Sequence, residues 1–72
     1  MGDIFKLKNR GRAILSENDY RNVIPIPPSA MLVLVAGDLN EDPFVKIRYE
    51  GKLMLMLSED LRSDGELWGQ SA

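Results

Sequence analysis

Residues 44–61, FVKIRYEGKLMLMLSEDL, carry the pattern that decides the fold. Apolar and charged side chains alternate from Val45 to Glu50, and a period of two is typical of a β-strand with one buried face. A short turn containing Gly51 follows, and then the apolar run from Leu53 to Leu57. Two such runs around a glycine-containing turn predict an antiparallel hairpin, with strands over residues 44–50 and 53–57.

The register of this hairpin decides which side chains face the core, because directly opposite residues point to the same side of a sheet. A two-residue turn pairs Ile47 with Met54, which leaves the leucines of the second strand beside charged residues. A three-residue turn, Glu50 to Lys52, pairs Ile47 with Leu55 and gives a fully apolar inner row. We prefer the three-residue turn, which places two methionines and two basic residues on the outer side: Met54, Met56, Lys46 and Arg48.

Short aliphatic runs bounded by Gly, Pro, Asn and Asp recur through the rest of the chain, and no apolar stripe repeats at helical spacing over three turns. This pattern predicts an all-β fold. We expect strands at GRAIL (residues 11–15), AMLVLVA (residues 30–36) and ELW (residues 66–68). IFKLK (residues 4–8) suits an edge strand or an ordered arm.

Two connecting segments carry signals of their own. Residues 16–29 include Pro25, Pro27 and Pro28, which cannot donate to a sheet ladder, and they therefore predict a long ordered loop. Residues 58–61, SEDL, begin with a serine in the N-cap position and continue with two acids. This start predicts a short helical or 3₁₀ turn.

The order strand, proline-bearing loop, strand, polar turn, strand, Gly turn, strand, helical turn and final strand is the layout of small SH3-like barrels. In particular, FVKIRYEGKLMLMLSEDL resembles the segment of many small bacterial and phage SH3-like proteins in which V-x-V-x-(aromatic)-x-G leads through apolar alternation to L-x-x-(D/E)-L. The resemblance covers residues 11–68 and implies a barrel of about five strands with its helical turn near residues 58–61. A basic arm or edge strand over residues 1–10 and a disordered tail over residues 69–72 complete the expected organisation.

The composition argues against several classes of function. The 72 residues include no Cys and no His, which excludes disulfides and removes the side chains that zinc sites and most acid–base or nucleophilic mechanisms use. Asp38, Glu41 and Asp42 lie in one polar turn whose spacing matches no EF-hand loop, and we interpret them as a solvated turn. We therefore expect a non-enzymatic protein with no cofactor and no metal.

The apolar runs are short. The longest, residues 30–36, has seven residues, whereas a helix needs roughly 20 apolar residues to span a bilayer. No charged leader with an apolar segment and a cleavage site opens the sequence. We expect a soluble cytoplasmic protein without a membrane partner.

Charge is distributed unevenly along the chain. Residues 1–12 carry four basic side chains against Asp3, whereas the other residues carry five basic and ten acidic ones. A basic segment on an acidic body can contact phosphates, or it can stay solvated or pair with the acids of the body. The alternative function is therefore nucleic-acid binding through Lys6, Lys8, Arg10 and Arg12.

Two strands are apolar on both faces, residues 30–36 and 53–57. An antiparallel sheet that faces water is expected to show polar residues on that side, and exposed apolar clusters usually mark interfaces. Either the segment VIPIPP and the N-terminal arm cover the outward row, or a partner does. We predict a protein-interaction or oligomerisation module, of the kind found among small bacterial or phage accessory and regulatory proteins, that binds another protein or itself as a homodimer or larger assembly. The expected contact face comprises Leu32, Leu34, Lys46, Arg48, Met54 and Met56.

Overall fold

The computed structural model describes residues 2–17 and 20–70. This part of the chain contains seven strands and one helix: β1 Asp3–Leu7, β2 Gly11–Glu17, β3 Tyr20–Ile26, β4 Met31–Ala36, β5 Phe44–Tyr49, β6 Lys52–Leu57, α1 Ser58–Asp64 and β7 Gly65–Gln70. The strands form one sheet in the order β3-β2-β6-β5-β4-β1-β7, and all neighbouring pairs are antiparallel. The all-β class with one short helix is confirmed.

The sheet is open, because β3 and β7 form its two edges. The predicted barrel of about five strands is therefore wrong in closure and in strand number. The N-terminal segment is not an edge strand, since β1 lies between β4 and β7 and pairs with both. Residues 69 and 70 of the predicted tail belong to β7, and residues 71 and 72 lie outside the described residues.

Most of the segment predicted as a long loop, residues 16–29, is strand. β2 extends to Glu17, and β3 returns antiparallel to it with pairs from Glu17–Tyr20 to Gly11–Ile26. Pro25 is tolerated because β3 is an edge strand, and one side of an edge strand needs no hydrogen-bond donor. Residues 18 and 19, at the tip of this ribbon, lie outside the described residues.

The hairpin of β5 and β6 has the two-residue turn, so the register that we preferred from the sequence is wrong. Ile47 pairs with Met54, and Tyr49 pairs with Lys52. Glu50 and Gly51 have φ angles of 51° and 78°. Positive φ at both central residues is the signature of a type I′ turn, whose twist matches that of the flanking strands. The twist of the hairpin therefore determines the register, although a three-residue turn would give a fully apolar inner row.

The core lies on the inner side of a strongly curled sheet. A flat sheet is one layer about 10 Å thick, whereas the smallest dimension of the molecule is 22 Å. The curl brings β2 against β1 across the core, since a Cβ on Gly11 would lie 3.1 Å from Leu7 Cδ1 and 3.3 Å from Met56 Cε. Six strands and α1 contribute the buried apolar side chains: Phe5, Leu7, Ala13, Ile26, Leu32, Val45, Ile47, Met54, Met56 and Leu61.

Helix α1 spans seven residues and packs against β6, β7 and β1. It is longer than the single turn that the sequence predicts. Ser58 does not act as the N-cap, because Leu57 occupies that position and no side chain caps the helix. Instead, Ser58 is buried, its hydroxyl donates to the carbonyl of Asp42, and its N–H donates to the carbonyl of Pro43. These bonds tie the start of the helix to the segment that enters β5.

We expect Gly51→Ala to lower the free energy of unfolding by about 1 kcal/mol, because an L-residue at this positive φ is strained. The space around Gly51 is open, so the cost is conformational and no side chain is displaced. The matched control is Gly69→Ala, where a Cβ also meets nothing within 4 Å. Urea unfolding measures both variants, and equal midpoints for the two would contradict the type I′ turn.

Candidate interaction surface

The outer side of the sheet carries a cluster of apolar side chains that we name the outer patch. The patch is defined by one side chain from β2, one from β3, one from β5 and three from β6: Ile14, Val23, Phe44, Leu53, Leu55 and Leu57. Five of them are between 39% and 63% exposed, and Ile14 is half-buried. These are large apolar groups in contact with water, on a side of the sheet where polar residues are expected.

The two-residue turn explains why these side chains meet. It makes Leu53, Leu55 and Leu57 the outward row of β6, and Phe44 lies directly opposite Leu57 on β5. On the other side of β6, Ile14 pairs with Leu55, and Val23 pairs with Ile14 in the next strand. Cross-strand neighbours on one face lie within contact distance of each other, so the row forms a continuous surface.

Two shallow hollows run along this surface. Among the described residues, Ile14–Leu55 is the pair that joins β2 to β6, whereas β5 and β6 share six successive pairs. The β2–β3 ribbon therefore diverges from β6 beyond this pair. A groove of about 220 Å³ lies towards Phe44 and Leu57, and a hollow of about 420 Å³ lies towards Leu53, with Ile14 and Leu55 lining both.

The structure separates the residues predicted for the contact face. Leu32, Met54 and Met56 are 0%, 5% and 1% exposed and belong to the core, so their assignment to the contact face is corrected. Leu34 is partly buried and packs against that core. Lys46 and Arg48 do lie on the outer side, opposite Leu55 and Leu53.

The exposed leucines of β6 form the outward row that sequence reasoning missed. The dipeptide Glu50-Gly51 was the available signal, because a two-residue turn ending in glycine favours a type I′ hairpin. Accepting that turn places the leucines outward and the methionines inward. The outer patch could therefore be predicted from the type of turn at Glu50-Gly51, but not from the hydrophobicity of β6.

The two ends of the outer patch carry opposite charge among the side chains that the structure describes. At the Phe44–Leu57 end, Asp60 and Arg12 line the groove, and Asp42 and Glu59 lie within two residues of the end of each strand. At the Leu53 end lie Arg48, opposite Leu53, Arg21 on β3 and Glu50 in the turn, whereas Lys52 pairs with Tyr49 and belongs to the inner side. Three acids against one base at the first end give −2, and two bases against one acid at the second give +1.

Tyr49 lies at the basic end and packs partly against the core. Partial removal from water raises the pKa of its hydroxyl, and a hydrogen bond with Glu50 and the charge of that carboxylate raise it further. Because the shift is upward, Tyr49 is uncharged at neutral pH and does not offset the basic side chains around it.

Among the basic residues of the N-terminal segment, the structure separates Lys6 from Arg10 and Arg12. Lys6 lies on the outer side of β1, with its Nζ 5.0 Å from the centroid of the Trp68 ring, a cation–π distance. Arg10 and Arg12 line a groove together with Asp60 and Asp64 of α1. Lys8 follows β1, and its N–H donates to the carbonyl of Asp64.

In the acidic turn between β4 and β5, two carboxylates accept hydrogen bonds from the backbone of the turn itself. Asp42 accepts from the N–H of Asp38 at 2.8 Å, and Asp38 accepts from the N–H of Asn40 at 2.8 Å. Asp and Asn side chains commonly stabilise turns in this way. The contacts agree with our interpretation of residues 38–42 as a polar turn.

No protein-family model, curated protein or solved structure matches the chain. Within residues 2–17 and 20–70, no helix has the length and apolar character that crossing a membrane requires.

Proposed function

We propose that the protein is a non-enzymatic interaction module and that the outer patch is its contact surface. The observation that carries this proposal is the outward leucine row of β6, which continues into Phe44 on one side and Ile14 on the other. The segments that the structure describes do not cover this row, because Leu53, Leu55 and Leu57 remain 46%, 39% and 44% exposed. The alternative of self-coverage by residues 23–28 and the N-terminal segment is therefore disfavoured.

The size of the outer patch supports a contact role. Its six side chains expose on the order of 500 Å² of apolar surface, within the range of about 300–600 Å² for the largest patch on a monomer, which is often functional. Basic and acidic residues surround the patch, and interfaces commonly have an apolar centre with a polar rim. A partner that covers the patch removes this apolar area from water, which favours association.

The arrangement of the basic residues favours protein contact over nucleic-acid binding. A phosphate-binding surface needs several cations that are free to face the same backbone. Arg10 and Arg12 lie beside Asp60 and Asp64, and Lys6 contacts Trp68. The SH3-like resemblance, the bacterial or phage accessory role and the cytoplasmic location stay predictions.

A cysteine at Leu55 tests whether the patch is covered in the cell. The chain contains no Cys, so Leu55→Cys introduces a single thiol. In intact cells that naturally make the protein, we expect this thiol to react with a permeant maleimide roughly tenfold more slowly than in the dilute purified protein, which corresponds to about 1.4 kcal/mol of protection by a partner. Mass spectrometry of the labelled fraction over time gives both rates.

The matched control is Leu67→Cys. Leu67 is also an exposed leucine, but it lies on the edge strand β7, outside the outer patch. Its thiol is expected to react at similar rates in cells and in dilute solution. Equal rates for Leu55→Cys in the two conditions would refute coverage of the patch, and with it the proposed function.

A further inference from the structure

We infer that the occupant of the outer patch is a second copy of this chain, paired face to face about a two-fold axis that lies in the interface and runs across the strands near Leu55. This inference rests on the proposed function, because it names the partner for the same surface. Three observations support it: the charge at the two ends of the patch, the geometry of the outward rows and the area of the patch.

The charge distribution is complementary to itself. The Phe44–Leu57 end carries −2 and the Leu53 end carries +1 among the described side chains. A two-fold interface brings the same patch of both copies together. Each end of the patch therefore faces either the same end or the opposite end of the patch on the other copy. Opposite charges across an interface steer association and fix its orientation.

The direction of the axis decides which ends meet. An axis parallel to the strands would place the acidic end of one copy on the acidic end of the other, and like charges would oppose pairing. An axis across the strands reverses the strand direction and keeps β6 facing β6. The acidic end of each copy then lies on the basic end of the other, and this is the orientation that we propose.

The outward rows fit this axis. Ile14, Leu55 and Lys46 form one row across three strands, at the middle of the patch. With the axis along this row, Leu55 faces the second Leu55, and Leu53 faces Leu57 of the other copy. The arrangement also brings Phe44 over Arg48 of the other copy, a pairing of an aromatic ring with a guanidinium.

The outer patch supplies more than half of the area that a specific dimer buries on each partner. A standard interface buries about 800 Å² on each partner. The apolar part of the outer patch supplies on the order of 500 Å², and the charged residues at its ends supply a rim. On the axis Lys46 meets its equivalent, which is a pair of like charges, but Lys46 is exposed at the side of the patch, where its long side chain can reach water.

Sedimentation equilibrium and light scattering of the full chain across a concentration series test this inference. We expect a reversible monomer–dimer equilibrium. Leu55→Asp should raise the dissociation constant at least about a hundredfold, because it places two carboxylates together in the apolar centre. Arg48→Glu should raise it about tenfold, and Lys46→Met should lower it, since it removes the like charges on the axis. Leu67→Asp, outside the patch, should leave it unchanged.

Cross-linking tests the orientation of the two copies. Stacked sheets lie about 10 Å apart, so a bismaleimide of that span should link Leu55→Cys to itself. Leu53→Cys alone should link poorly, whereas a mixture of Leu53→Cys and Leu57→Cys copies should link well. Efficient linking of Leu53→Cys to itself would overturn the proposed axis.

The outcomes separate this inference from the proposed function. A folded chain that stays monomeric at its cellular concentration overturns self-pairing. If Leu55→Cys is nevertheless protected in cells, another protein covers the patch and the proposed function stands. If Leu55→Cys is unprotected in cells and the chain is monomeric, both are wrong.

Discussion

The Met56→Asp variant is expected to be unfolded at 25 °C, whereas Leu55→Asp, one residue earlier, is expected to remain folded. Met56 is 1% exposed and belongs to the core, so a carboxylate there loses its hydration without gaining a partner. Such a burial costs several kcal/mol, and a domain of this size has only about 3–5 kcal/mol of core stability. Leu55 points outward, so its replacement leaves the carboxylate in water.

Far-UV circular dichroism and the dispersion of amide signals in an NMR spectrum distinguish the two variants. Both substitutions place the same side chain in the same strand, so they share any loss of β-propensity. A difference in folding between the two variants therefore reports the side of the sheet on which each residue lies. A folded Met56→Asp together with an unfolded Leu55→Asp would restore the three-residue turn and contradict the register described here.

Leu61→Ala is the second variant for which we expect a large loss of stability. Leu61 is fully buried, and it is the buried apolar side chain by which α1 joins the core. Truncation of a buried leucine costs about 2–5 kcal/mol, because it loses burial and leaves a cavity. The expected result is a chain close to its unfolding midpoint without denaturant, measured by urea titration with circular dichroism.

Arg62→Ala is the control for this variant. Arg62 follows Leu61 in the same helix and is exposed, so the substitution changes the helix surface without changing the core. Surface substitutions of this kind usually shift stability by less than about 0.5 kcal/mol. Similar urea midpoints for Leu61→Ala and Arg62→Ala would contradict the packing of α1 against the core.

The strands that carry aliphatic runs were predictable from the sequence. The period of two in residues 44–50 and the apolar runs at residues 30–36 and 53–57 correspond to β5, β4 and β6. β3 was missed because prolines argue against a central strand, and the local pattern does not reveal that this strand lies at an edge. The sequence pattern also could not predict whether the sheet closes into a barrel. Closure depends on whether β3 and β7, at opposite ends of the strand order, meet in space.

Of the six residues predicted for the contact face, two lie on the outer side of the sheet. Lys46 and Arg48 lie where the sequence placed them, because the alternation of β5 fixes their side relative to Val45 and Ile47. The pattern of β6 does not show which side chains face the core, since leucine and methionine are both apolar and either row can form a core. The choice between the rows depends on turn length alone, and the twist of the two-residue turn outweighs the pairing of apolar residues that a three-residue turn would give.

The short connection between β5 and β6 has a consequence for the variation of this protein in evolution. A single codon inserted beside Glu50 would shift every residue of β6 by one position and rotate the strand through half a turn, because side chains alternate between the two sides. The methionines would then meet the solvent, and the leucines would enter the interior, with almost no change in amino-acid composition. Homologues that differ by one such insertion would therefore carry different side chains on the outer side of the sheet. An insertion at this position would indicate altered binding better than the number of substitutions between two sequences.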